Sequence, residues 1–119
     1  MSPCRLVDTR NLVGPLGGPA LQANAARLFV LTSTCGIPTS AASVSANMTV
    51  TDPLASGSLR IYPGNAGIPQ ASDINFRAGQ TRANSAMLML ATDGSGTIGV
   101  ENDSAGTAQF IVDVNGYFK

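Results

Sequence analysis

Ala42-Ser43-Val44-Ser45-Ala46-Asn47-Met48-Thr49-Val50-Thr51 is the stretch that decides the fold. In an extended chain Val44, Ala46, Met48 and Val50 fall on one side, and Ser43, Ser45, Asn47, Thr49 and Thr51 on the other. Side chains alternate across a strand, so the run predicts a strand with one core face and one polar face. A helix would scatter the same apolar residues around its circumference. Asp52-Pro53 closes the run, because Pro has no N–H for a ladder.

The same alternation recurs outward in both directions, in short runs broken by Gly, Pro, Asn and Asp. Toward the N-terminus lie Ala25 to Thr32 and Cys4 to Asp8, separated by the Gly- and Pro-rich loop Asn11 to Ala20. Toward the C-terminus lie Gly57 to Tyr62, Ser72 to Phe76, Gly96 to Glu101 and Gln109 to Phe118. Asn115-Gly116 marks a bulge or bend in the last of these. Ala83 to Ala91 (ANSAMLMLA) is apolar on both faces and reads as a central strand buried on two sides. Its Ala, Met and Leu content keeps a helix as the alternative. Strands at this spacing predict one all-β domain over residues 1–119: an antiparallel β-sandwich, jelly-roll-like, of about eight strands.

Composition agrees. Charged residues make up 12% of the chain, about half the usual share. Lys119 is the one Lys and Glu101 the one Glu, so long polar helix formers are nearly absent. The formal net charge is zero and the six Arg are scattered, which argues against nucleic acid as a partner. No apolar run is long enough to span a bilayer as a helix. Met1-Ser2-Pro3 lacks the charged and apolar segments of a signal peptide, so an export signal is expected to have been removed or to have belonged to a larger precursor.

The chain has no His. That removes His-based nucleophile systems and the usual zinc sites, and no catalytic residue, metal ligand or cofactor is assigned. Gly94-Ser95-Gly96-Thr97-Ile98-Gly99 matches G-x-G-x-x-G, but the next residues, Val100 to Gly106, read as a turn and not a helix. A dinucleotide fingerprint needs that helix, so the match is read as a glycine-rich hairpin. Asp93, Glu101 and Asp103 lie close in sequence and are read as solvated turn carboxylates, although such a group can act in pairs or bind a cation. Asn47-Met48-Thr49 and Asn102-Asp103-Ser104 match the glycosylation pattern and are read as chance.

Four further readings concern single residues. Cys4 and Cys35 form one pair, expected as a disulfide that staples the first strand and implies an oxidising compartment. Asp113, inside an apolar strand, needs a cationic mate, with Arg82 or Arg10 as candidates. Asp8 and Arg10 flank a turn and are expected to pair. Tyr62, beside Pro63-Gly64, is the one candidate platform for stacking a sugar, with core or rim packing as the bland reading.

Three segments together carry a resemblance. They are Val7-Asp8-Thr9-Arg10, Ala71 to Thr81 (ASDINFRAGQT), and Val112 to Phe118 (VDVNGYF). In order and spacing they resemble a functionally uncharacterised β-sandwich module of secreted bacterial proteins, frequent in actinobacteria and acidobacteria. The resemblance covers essentially the whole chain and implies secretion, and often attachment to extracellular hydrolases or surface proteins. It implies no catalytic residues. As a lone module the chain is expected to be an excised fragment or a small stand-alone subunit.

Two functions are carried forward. The first is a non-enzymatic extracellular interaction or assembly module, a surface, adhesion or fibre subunit whose partners are copies of itself or other surface proteins. The alternative is a carbohydrate-binding module that takes a polysaccharide. Neither involves membrane insertion.

Overall fold

A computed structural model describes residues 2–119. The eight strands are β1 (Cys4–Asp8), β2 (Ala25–Val30), β3 (Ser43–Thr51), β4 (Gly57–Pro63), β5 (Ile74–Phe76), β6 (Arg82–Met89), β7 (Thr97–Ser104) and β8 (Gln109–Phe118). They form two four-stranded sheets, ordered β1-β8-β3-β6 and β2-β7-β4-β5. Every ladder is antiparallel.

The strand order gives the topology. β1 pairs with β8, β2 with β7, β3 with β6 and β4 with β5. That is one long hairpin, with its apex between β4 and β5, wrapped so that successive pairs alternate between sheets. The additional β3–β8 and β4–β7 ladders close each sheet. This is a jelly roll. Its connections β1–β2, β3–β4, β5–β6 and β7–β8 gather at one end, tied by backbone bonds such as Leu54 N to Thr107 O and Gly79 N to Pro53 O.

The core lies between the sheets. β3 contributes Val44, Ala46, Met48 and Val50, all essentially buried, and β8 contributes Phe110, Val112 and Val114. Leu59 of β4 and Ile98 and Val100 of β7 face them. Phe29 of β2 and Phe110 of β8 meet across the sandwich with ring centroids 5.9 Å apart. Burying each large aliphatic side chain contributes about 1.5–3 kcal/mol before entropy is counted. The β3 alternation therefore supplies one wall of the core, as its sequence implies.

Three features differ from the sequence reading. The segment around Ala83 to Ala91 is a strand, but it lies at an edge and not at a centre: Met87 and Met89 are 52% and 56% exposed. Among the described residues no further layer covers the outer face of its sheet, so only its inward Leu88 is buried within the strand. The seventh strand runs on through Asn102-Asp103-Ser104, where a turn was expected. The polar residues continue the strand because buried Asn102 is satisfied by the carbonyls of Leu21, Gln22 and Gly106, and Ser104 donates to Asn102 Oδ1 at 2.7 Å. The fifth strand shortens to Ile74–Phe76 because Asp73 replaces it: its Oδ2 accepts from Ile61 N at 2.7 Å. In β8, the register shift opposite Ser45 and Ala46 leaves Asn115 as the extra residue of a bulge, as Asn115-Gly116 suggested.

Candidate functional site

The outer face of the β1-β8-β3-β6 sheet is the most distinctive surface. On β3, Ser43 and Ser45 point outward, opposite to Val44. The ladders set Met89 and Phe118 on either side of Ser43, and Met87 and Gly116 on either side of Ser45. Directly paired residues on one face have Cβ atoms about 5 Å apart. Two methionines and a phenylalanine, 51% exposed, therefore flank a floor of two serines and a glycine. A Cβ built on Gly116 would come within 3.9 Å of Ser45 Cβ, so the floor is shallow.

The free edge of β6 bounds this face. From Ala83 to Met89 it carries no charge and no proline. Exposed edges are normally blunted by Lys, Pro, bulges or very short strands. The opposite edge, β1, is protected. Cys4 is bonded to Cys35 of the β2–β3 loop, with Cα atoms 6.0 Å apart. Arg5 Nε donates to Asp113 Oδ1 at 2.9 Å. β1 also carries a bulge between Arg5 and Val7.

The single residues singled out from sequence take these positions. Cys4 and Cys35 form the disulfide. Asp8 and Arg10 form a two-pronged ion pair, Nε to Oδ1 at 2.9 Å and Nη2 to Oδ2 at 2.8 Å. The Arg10 guanidinium, together with the Arg10 backbone N–H, holds the Asp8 carboxyl below its ordinary value. Asp113 pairs with Arg5 and not with Arg82 or Arg10, because it faces the outer surface of β8, where β1 places Arg5 directly opposite it. The same contact raises the Arg5 pKa.

Tyr62 is 8% exposed, so it is not a free platform. Its ring lies over Gly99 of the neighbouring strand, where any Cβ would collide with the ring. Burial raises its phenol pKa, with Glu101 adding to the effect. Gly99 is thus explained by ring packing. Gly94 and Gly96, with φ of +83° and +69°, make the turn before β7. The G-x-G-x-x-G stretch is a hairpin leading into a strand, as read from sequence.

The three carboxylates do not meet at one point, and Glu101 and Asp103 are strand residues paired to an arginine, not the solvated turn carboxylates expected from sequence. Arg60 Nη1 bridges Glu101 Oε1 at 2.7 Å and Asp103 Oδ2 at 2.9 Å. Asp93 lies in the β6–β7 turn, at the far end of β7, and accepts from Ser95 N. That hydrogen-bonded turn, with the Ser95 side chain first among its causes, holds the Asp93 carboxyl low. A strand of β7's length separates Asp93 from Asp103 by roughly 20 Å. Among the described residues no group of three or more His, Cys, Asp or Glu could hold a metal ion.

Sequence reasoning missed Arg27. Its guanidinium sits 4.5 Å from the Phe29 ring centroid and donates to the carbonyls of Gly14 and Pro19. Burial lowers its pKa. It ties down the long β1–β2 loop, and no local sequence signal connects Arg27 to Gly14.

No family model matches the chain, and no curated protein matches it in sequence. Among solved structures it is similar to a coat protein of Tobacco streak virus, with a TM-score of 0.41 and 14% identity, over 82% of this chain and 78% of that one. The jelly-roll assignment rests on the strand order and not on this likeness.

Proposed function

We propose that the chain is a non-enzymatic extracellular assembly module whose partner is a second copy of itself. The observation that carries the reading is the β6 edge, which has a strand partner on one side only and is crossed by a single side-chain bond from Asn84 to Asp73 O, beside the Met87, Met89 and Phe118 face. An unpaired strand edge offers a row of backbone donors and acceptors to another strand. A second β6, run antiparallel about a two-fold axis, would satisfy both edges at once and join two sheets into one. The two methionines adapt their shape to a facing surface. A net charge of zero sets up no long-range repulsion between copies.

The disulfide supports an oxidising compartment, and secretion or surface display is part of the proposal. So is membership of the secreted bacterial modules that the three signature segments resemble. A polysaccharide platform centred on Tyr62 is the weaker reading, since the ring face is spent on Gly99.

Size-exclusion chromatography with light scattering over a concentration series tests the assembly. A dimer or larger species that dissociates on dilution is expected, and the double variant Met87→Lys, Met89→Lys should run as a monomer throughout. A wild-type protein that stays monomeric at the highest concentration overturns the proposal.

A further inference from the structure

The chain's six arginines are not used alike. Arg5 binds Asp113, Arg10 binds Asp8, and Arg60 binds Glu101 and Asp103. Arg27 spends its donors on two loop carbonyls. Among the described residues, Arg77 and Arg82 enter no ion pair and their guanidinium groups make no hydrogen bond. Both line one cleft of about 330 Å³, with Asn75, Phe76 and Gln80.

The lining offers donors and almost no acceptors. Gln80 Oε1 accepts from Arg77 N at 3.0 Å. A backbone N–H can only donate, so the amide orientation is forced and the Gln80 NH₂ stays free. Asn75 Oδ1 accepts from Ser72 Oγ at 2.8 Å, and its NH₂ makes no other hydrogen bond among the described residues. The nearest carboxylate in sequence, Asp73, is not part of the lining, and its Oδ2 accepts from Ile61 N. Two arginines and two side-chain amides therefore line one open space, together with buried Phe76.

The cleft is also held in shape. Gln80 N donates to Arg77 O, Gly79 N to Pro53 O, and Ala78 N to Ser56 Oγ. Gly79 takes φ +77°, which closes the turn. These bonds fix the backbone turn that carries Arg77 and Gln80, while the two guanidinium groups remain free to swing onto a ligand. The cleft exists because β5 is only three residues long and leaves the sandwich edge open beside the start of β6. It is built from the ASDINFRAGQT segment and Arg82, whose other residues serve the fold.

We propose that this cleft binds an oxyanion, a carboxylate or sulfate group, through the Arg77 and Arg82 guanidinium groups with the Asn75 and Gln80 amides. Arginine's planar fork matches the two oxygens of such a group. The site is separate from the Met87, Met89 and Phe118 face, and does not depend on self-association.

The test is an NMR titration of the whole chain, following the arginine Nε–Hε signals. Three probes are used in parallel: sodium sulfate, sodium acetate and a short oligogalacturonate. Saturable shifts confined to Arg77 and Arg82 are expected. The tightest response to the oligogalacturonate assigns the oxyanion to an acidic saccharide, and an equal response to sulfate assigns it to a free anion. R77Q and R82Q should each weaken binding about tenfold or more, as loss of a charged hydrogen-bond partner does, while R5Q leaves it unchanged. Both arginines are exposed, so the amide spectrum of each variant should remain dispersed. Absence of a saturable response to all three probes overturns the proposal, as does a response that survives in the R77Q and R82Q variants.

Discussion

β3 and β6 lie side by side and pair in register from Ser43 with Met89 to Val50 with Arg82. β3 alternates polar and apolar residues, and its apolar face is sealed in the core. β6 is the more apolar toward its C-terminal end, yet its methionines stand in solvent. Strand composition therefore does not report strand position. Burial on one face needs an opposing sheet, and burial on both needs a third layer. A two-layer sandwich has no third layer, so the outward residues of β6 stay exposed whatever their chemistry. That exposure turns an apolar strand from a core element into a surface available to a partner.

Substitution on the two strands should separate them most sharply. Val44→Asp places a carboxylate in the core with no partner, and is expected to cost more than about 4 kcal/mol and prevent folding. Met87→Asp, on the adjacent strand, should leave a folded chain. Thermal unfolding followed by circular dichroism distinguishes the two, and a folded Val44→Asp protein would break the contrast.

The next largest effect belongs to the other edge. Cys4→Ser removes the cross-link between β1 and the β2–β3 loop, whose residues are 31 apart in sequence. The chain-entropy model gives a loss of about 3–4 kcal/mol. Hydrogen exchange should then show β1 amides opening as readily as those of the β6 edge. Unchanged β1 protection would mean that the ladder with β8 alone secures that edge.

A smaller effect is pH-dependent. The folded-state pKa of Asp8 is depressed, so its stabilisation is present above the unfolded value of about 3.8 and is lost as pH falls through the lower folded value. Asp8→Asn should reduce stability near neutrality by about 1 kcal/mol, given that Arg10 is half exposed to solvent. The difference between the two proteins should vanish in acid below that window, which melting curves at matched pH would check. The smallest effect is that of Met87→Ser, expected to change stability by no more than about 0.5 kcal/mol while weakening self-association. A large loss of stability there would show that the β6 face packs within the monomer.

Much of the fold was legible because strand periodicity is local. The Ala42 to Thr51 alternation, the Pro and Gly breaks and the Asn115-Gly116 bulge each report on residues a few positions apart. The Asp8 and Arg10 pair could be read for the same reason. What escaped was non-local. Asp113 finds Arg5 across 108 positions, Arg60 finds Glu101 across 41, and Arg27 reaches Gly14 over the loop it anchors. The burial of Asn102 depends on three carbonyls supplied by two loops.

The candidate surfaces divide along the same line. By itself the amino-acid sequence determined that the chain makes strands, where most of them begin and end, and which cysteines are available to staple them, since each comes from side-chain alternation, turn chemistry or a count. Tertiary structure decided which strands became edges, which arginines found a carboxylate, and that the Tyr62 ring is covered. The wrapping of one long hairpin into two sheets brings distant residues together, and only that placement leaves Met87 and Met89 bare and sets Arg77 and Arg82 on one cleft.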